Sequence, residues 1–182
     1  MPERFRAMMR EYRMLSYKVL WFMQDSEGFV VPAKYERLSL VVPTTHDLPT
    51  IAGFLSGDDN ELRQALELFP RPEMFEEYCK RREQDVKALM TLLAQHQLCP
   101  ADIGDIEQMV IAILALLAGS GSLLYAISLE DVLGLREQLN VPGTTVEYPN
   151  WRERLPLSVE EFLSHPRFQF VAALGKLANR SV

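Results

Sequence analysis

The sequence predicts a helix-rich α/β fold with parallel strands and helical crossovers. Two observations predict it. Three short segments rich in apolar residues, Tyr17 to Phe22, Leu38 to Val42 and Leu123 to Ile127, alternate with helical patterns. No hairpin turn links any two of them, so the chain must return through helices. A third feature agrees: these segments lack polar alternation, the pattern of strands buried on both faces.

Taken in order, residues 3 to 14 read as a short surface helix rich in Arg and Glu. After the first strand, Asp25, Gly28 and Pro32 mark a loop. The second strand runs into Pro43-Thr44-Thr45-His46-Asp47-Leu48-Pro49-Thr50, polar and bracketed by prolines, which reads as a loop. A helical stretch follows, with Asp58-Asp59-Asn60 as N-cap residues before Glu61 to Leu68. Residues 73 to 95 carry Phe75, Cys79, Val86, Leu89, Met90 and Leu93 at amphipathic helix spacing. Pro100 breaks the pattern, Asp105 caps a helix over 106 to 118, and Gly119 ends it. Beyond the third strand, Glu130 to Leu135 reads as a helical turn, and Asn140 to Thr144 and Asn150 to Arg152 as loops. Ser158 to Glu161 is a capping box with Leu157 and Phe162 as its staple, opening a last helix broken or bent at Pro166.

Length and composition narrow the function. The 182 residues fit one domain, read as a single unit over 1 to 182. A net charge of -6 argues against a nucleic-acid or anionic-membrane partner, since neither attracts an acidic chain. The longest apolar run, Met109 to Ala118, falls far short of the ~20 residues a membrane span needs and reads as a buried core helix. Cys79 and Cys99 form no CxxC pair and read as reduced thiols. Met1-Pro2-Glu3-Arg4 leads straight into a charged helical pattern, so the expectation is a cytoplasmic protein.

In parallel α/β folds, function concentrates in loops at the carboxyl ends of strands. Three loops qualify: Gln24-Asp25, His46-Asp47 and Ser128 to Asp131. His46-Asp47 is the most suggestive. An ionised Asp there can stabilise positive charge or bind sugar hydroxyls, and a neighbouring His can donate to a substrate oxygen. Equally, Asp47 can cap the turn before Pro49 while His46 packs. His96 and His165 lie on or beside helices and read as solvated or structural. Trp21 reads as strand core. Trp151 reads first as a hydrophobic plug and second as a sugar-stacking platform. Gly119-x-Gly121 lacks the rest of a phosphate-binding fingerprint, and no Gly-x-Ser-x-Gly elbow occurs.

Four blocks occur together and in order. They are Ser16 to Phe22; Thr45 to Thr50 with Gly53; Leu129 to Gly134; and Asn140 to Thr144 with Asn150-Trp151-Arg152. Together they resemble the C-terminal part of bacterial 4-alpha-glucanotransferases, the amylomaltase or disproportionating-enzyme family. The likeness runs across nearly the whole chain. It implies the C-terminal portion, about three strands plus helices, of a (β/α)8 TIM barrel. It also implies a retaining mechanism that moves an α-1,4-glucan segment between maltooligosaccharides, using two carboxylates about 5 to 5.5 Å apart and a third that supports the oxocarbenium-like transition state. Carried onto this chain, Asp47 is the transition-state stabiliser and His46 and Asn140 are substrate-binding residues; Trp151, from its own reading as a stacking platform, is counted with them as substrate-binding. No metal or organic cofactor is implied.

The resemblance also implies a departure. The nucleophile and the acid/base lie earlier in the family's chain, and Glu130-Asp131 belongs to a later block. The chain alone is therefore expected not to transfer glucan. Three strands of a barrel leave two open edges and one uncovered face. Each exposed Val or Leu there forfeits about 1.5 to 3 kcal/mol. The expected partners are glucans and either the remaining part of the barrel or further copies of the chain. The other functional readings are a non-catalytic glucan-binding module and a helical interaction protein.

Overall fold

The computed structural model describes residues 3–99 and 104–178, so Pro100 and Met1-Pro2 lie outside the described residues. Helix α1 (Glu3–Glu11) opens them and leads into β1 (Ser16–Val19). A 3-10 turn, Leu20–Phe22, follows, then the paired strands β2 (Gln24–Asp25) and β3 (Gly28–Phe29). A second 3-10 turn, Pro32–Lys34, precedes β4 (Ser39–Val42). Then come α2 (Ile51–Ser56), α3 (Asp58–Ala65), α4 (Glu73–Gln95) and α5 (Ile106–Ala118). Strand β5 (Leu124–Tyr125), α6 (Leu129–Leu133), α7 (Val159–Phe162) and α8 (Pro166–Leu177) complete the order.

The predicted parallel sheet is present, in the order β1-β4-β5, with both pairs parallel. Its register aligns Tyr17, Leu40 and Leu124 in one row and Lys18, Val41 and Tyr125 in the next. The two rows face opposite ways. Val41 is fully buried beneath the helices, and the Tyr125 hydroxyl donates to the Leu114 carbonyl of α5 at 3.1 Å. Tyr17 and Leu124 instead remain 56% and 49% exposed. The uncovered inner face expected of a barrel portion is therefore real. So are the open edges, at β1 and β5.

The core lies on the other side. Helix α5 is apolar all round from Met109 onward, and Val110, Ile113, Leu114 and Leu117 are almost completely buried. Asp105 starts it as predicted, its carboxylate accepting from the Glu107 amide at 2.9 Å. Helix α4 supplies Leu89 and Leu93, and Leu20 and Ile51 close the cluster from the strand side. Of the two glycines before β5, Gly121 has a packing role. A Cβ on Gly121 would sit 2.6 Å from the Tyr35 carbonyl and 2.8 Å from that of Ala33, so only Gly lets the chain enter β5 against that turn. Ser39 and Ser122 then join the starts of β4 and β5 by a buried 2.7 Å hydrogen bond.

Several expectations change. The first strand stops at Val19, because Leu20 and Trp21 turn inward to fill the core; Trp21 stacks on Phe54 with ring centroids 3.9 Å apart. Trp21 is core, but as part of a turn rather than a strand. Gln24-Asp25 pairs with Gly28-Phe29 in a short hairpin instead of looping freely. Gly57, with φ of 84°, is the N-cap of α3, and Asp58, Asp59 and Asn60 lie inside its first turn. At Pro166 the break, one of the two expected outcomes, is what occurs: it separates α7 from α8, and His165 caps α8 by accepting from the Arg167 amide at 3.4 Å. Cys79 and Cys99 are both free.

Candidate functional site

The second strand-end loop is closed from within. The Thr44 hydroxyl donates to the Pro49 carbonyl at 2.7 Å, and the Leu48 amide to the Thr45 carbonyl at 3.1 Å. Thr50 then caps α2, its hydroxyl oxygen accepting from the Gly53 amide at 3.0 Å. A loop so constrained presents His46 and Asp47 at fixed positions on its outer side, 55% and 48% exposed as side chains.

Asp47 is not a turn cap. Its carboxylate is engaged laterally: Asn140 Nδ2 donates to Oδ1 at 2.6 Å, and His46 Nε2 lies 3.3 Å from Oδ2. The His46 ring in turn meets Trp151, centroids 5.1 Å apart and planes tilted by 46°. The four predicted site residues thus form one contiguous group, although His46 and Trp151 stand 105 positions apart in the chain. Trp151 is 59% exposed, which overturns its first reading as a plug. A half-exposed indole beside a carboxylate offers an apolar face to a ligand.

The loops carrying Asn140 and Trp151 are joined by Asn150. Its Oδ1 accepts from the Val141 amide at 2.8 Å, and its Nδ2 donates to the Thr144 hydroxyl at 2.8 Å. The Trp151 amide donates to the Leu139 carbonyl at 3.0 Å. Trp151 holds φ of 61°, a left-handed conformation costly for a large side chain. The Asn150 hydrogen bonds and the Leu139 contact secure that conformation.

Asp47 and His46 line a cavity of about 440 Å³ at the carboxyl ends of β4 and β5, with Tyr17, Thr44, Ser128 and Glu130 among its walls. Asn140 and Trp151 are not among its walls but touch two of them, Asp47 and His46. The third strand-end loop therefore contributes Ser128 and Glu130 to the same space. Gln24, from the first, lines a neighbouring hollow of about 300 Å³ that shares Asp47 and Leu48. All three predicted mouth loops converge. Among the described residues, no group of His, Cys, Asp and Glu could hold a metal ion, and no helix is long and apolar enough to cross a membrane.

Residue-by-residue reading missed what supports this group. Asp131 is fully buried. Its Oδ1 accepts from the Ile51 amide at 2.7 Å and its Oδ2 from the Ser128 hydroxyl at 2.8 Å. The Ser128-x-x-Asp131 spacing is a capping signal that could have found it. Thr50 also donates to the Leu135 carbonyl at 2.6 Å. Gly53 allows the approach, since a Cβ there would sit 2.6 Å from the Arg136 carbonyl. Gly53→Ala is expected to destabilise the chain by about 2 kcal/mol despite the better helix propensity of Ala, read from the urea midpoint.

Burial pushes the Asp131 carboxyl up to about 6 from its ordinary 3.8, against the lowering pull of the Ile51 amide and the Ser128 hydroxyl, with Glu130 adding to the rise. The folded state therefore keeps a proton that the unfolded state has released between these values. This group's stabilising contribution is complete below about pH 4 and is lost as pH rises through 6. The expected loss is about 2 kcal/mol. Urea melts from pH 4 to 7 should show that decline in the wild type relative to Asp131→Asn, which cannot titrate.

Comparison with known proteins bears on the family and the fold. The sequence profile of the family described as 4-alpha-glucanotransferase matches residues 1–158. The 4-alpha-glucanotransferases of Mycobacterium bovis and Mycobacterium tuberculosis are 34% identical over 180 residues, covering 92% of this chain and 25% of theirs. That of Haemophilus influenzae is 30% identical over 161 residues, covering 85% of this chain and 23% of its own. The chain thus spans about a quarter of the length of these relatives. Among solved structures, amylomaltase from Corynebacterium glutamicum superposes with a TM-score of 0.86 at 23% identity, over 96% of this chain and 27% of that one. Amylomaltase from Streptococcus agalactiae, in complex with acarbose, gives 0.65 at 16% identity, over all of this chain and 30% of that one. These structural likenesses are of fold, and they agree with a three-stranded portion of a (β/α)8 barrel.

Proposed function

Because the chain belongs to the 4-alpha-glucanotransferase family, we propose that its strand-end cavity binds an α-1,4-glucan and that Asp47 stabilises the charge developing during glucan transfer. The observation that carries this reading is the 2.6 Å bond from Asn140 to Asp47, beside His46 and the exposed Trp151. It puts a carboxylate, two polar side chains able to hydrogen-bond sugar hydroxyls, and an indole within one ligand's reach. A carboxylate fixed by a neighbouring amide needs little reorganisation when positive charge appears at an anomeric carbon, and electrostatic stabilisation of this kind is usually the largest catalytic contribution. The ring of Trp151 supplies the apolar surface on which a pyranose face can rest.

The covalent steps need a nucleophile and an acid about 5 to 5.5 Å apart, so that one carboxylate attacks the anomeric carbon while the other protonates the leaving oxygen. On this reading those two groups come from outside this chain, on strands that complete the barrel along the open edges of β1 and β5 and cover Tyr17 and Leu124. The setting is the cytoplasm, and the substrates are maltooligosaccharides. The chain alone, incubated with maltotriose, should release no glucose and build no longer oligosaccharide. It should still bind maltoheptaose weakly, with loss of binding in Trp151→Ala, read by calorimetry. Absence of binding by the wild-type chain would refute the site assignment, and formation of both glucose and longer products would refute an external nucleophile and acid.

A further inference from the structure

Three contacts between the segment 47–53 and the segment 128–140 follow one another like the rungs of a ladder. The innermost is Ile51 to Asp131 at 2.7 Å, wholly buried. The next is Thr50 to the Leu135 carbonyl at 2.6 Å. The outermost is Asn140 to Asp47 at 2.6 Å, half in solvent. The partners recede from one another in sequence as the ladder runs outward, so each rung constrains the next. The outermost rung has the weakest support of its own, because water competes for both of its partners.

The innermost rung is the costly one. A carboxylate removed from water is expensive unless its hydrogen bonds are made. Asp131 makes them to two different elements: the first amide of α2, which has no partner within its own helix, and the hydroxyl of Ser128, the N-cap of α6. Ser128 also accepts from the Asp131 amide at 3.0 Å, so the hydroxyl and the carboxylate lock each other. Gly53 against the Arg136 carbonyl lets the two segments approach closely enough for all three rungs. A residue serving only as the cap of α6 would need the bond to Ser128 and not the bond across to Ile51.

We propose that Asp131 is a positioning residue of the site: by anchoring Ile51 to α6, it sets the separation between Asp47 and Asn140. It touches no ligand and acts through the chain between Ile51 and Asp47 on one side and between α6 and Asn140 on the other. This rests on the reading of Asp47 and Asn140 as the ligand-facing pair, yet its test needs no ligand.

The test is a side-chain and backbone NMR comparison of the wild-type chain with Asp131→Ala, Asp131→Asn and Ser128→Ala. In Asp131→Ala the Ile51 amide should lose its protection from exchange. The Asn140 side-chain amide resonances should move toward those of a free, solvated amide, while the amides of Ile113 and Leu117 in α5 stay protected. Asp131→Asn keeps an oxygen for Ile51 and should return the Asn140 resonances most of the way to wild type. If Asp131→Ala does not fold, Ser128→Ala carries the test: it loosens one carboxylate oxygen and should move the Ile51 and Asn140 signals together, by less. Either variant overturns the proposal if Ile51 responds and the Asn140 side chain stays at its wild-type position. Failure of the wild-type chain to bind maltoheptaose would refute the glucan site and leave this result standing.

Discussion

Replacing Asp47 by Asn is expected to lower the turnover of glucan transfer by about 10³-fold, or ~4 kcal/mol, in an assembly where a second polypeptide supplies the nucleophile and the acid. The substitution is nearly isosteric. Asn140 donates to Asp47 Oδ1 at 2.6 Å, and an Asn at this position still has an oxygen to accept that bond. What is lost is charge. A neutral amide cannot offset the positive charge that develops at the anomeric carbon, whereas the neutral ground-state sugar is held almost as well as before. The effect should therefore fall on kcat, with KM little changed. Initial rates of glucose release from maltotriose would measure it. A variant with near wild-type kcat would remove Asp47 from the mechanism, and one that mainly raised KM would make it a binding residue.

The largest effect on stability is expected at Arg82→Met, about 3 to 5 kcal/mol. Arg82 joins α4 to both α2 and the first turn of α3 in three ways. It pairs with both oxygens of Asp59 at 2.6 and 2.8 Å, donates to the Phe54 carbonyl at 2.7 Å, and lies 3.8 Å over the Phe54 ring. Asp59 is 8% exposed, so removing the guanidinium leaves a carboxylate buried without its countercharge. The cost is mostly that stranded charge and less the value of the pair itself. The double variant Arg82→Met, Asp59→Leu should consequently recover much of the loss. Urea unfolding read by circular dichroism gives both numbers. A double variant no more stable than Arg82→Met would show that the Phe54 contacts, rather than the charge, carry the effect.

The long elements were legible because each satisfies itself locally. Helix α4 is found over 73 to 95 and α5 over 106 to 118, as the spacing of Leu89 and Leu93 and the cap at Asp105 predicted. Such helices need only an apolar face and a cap. The short elements were misread for the opposite reason. The run from Tyr17 to Phe22 has strand composition throughout, yet it turns at Leu20 because Trp21 finds Phe54, 33 positions away in the chain, to stack upon. Gln24-Asp25 pairs with Gly28-Phe29 through a turn whose sequence resembles an ordinary loop. Neither fact is local.

The site divides in the same way. The candidate residues were readable: His46-Asp47 ends an apolar strand, where polar side chains have no core to join. The motif blocks containing Asn140 and Trp151 were recognisable as a set. The sequence alone thus determined the helix frame, the parallel strands and the four residues that stand together around Asp47. The tertiary structure decided that Asp47 bonds to Asn140 instead of capping its own turn, and that Trp151 stands out beside His46 instead of plugging the core. It also decided that Asp131, read as the end of a strand-end loop, is the buried anchor between two segments. The physical reason is range. Helix and strand preferences are settled within a turn or two of the backbone. A hydrogen bond between residues 80 or 93 positions apart exists only once the core has packed and fixed where both ends stand.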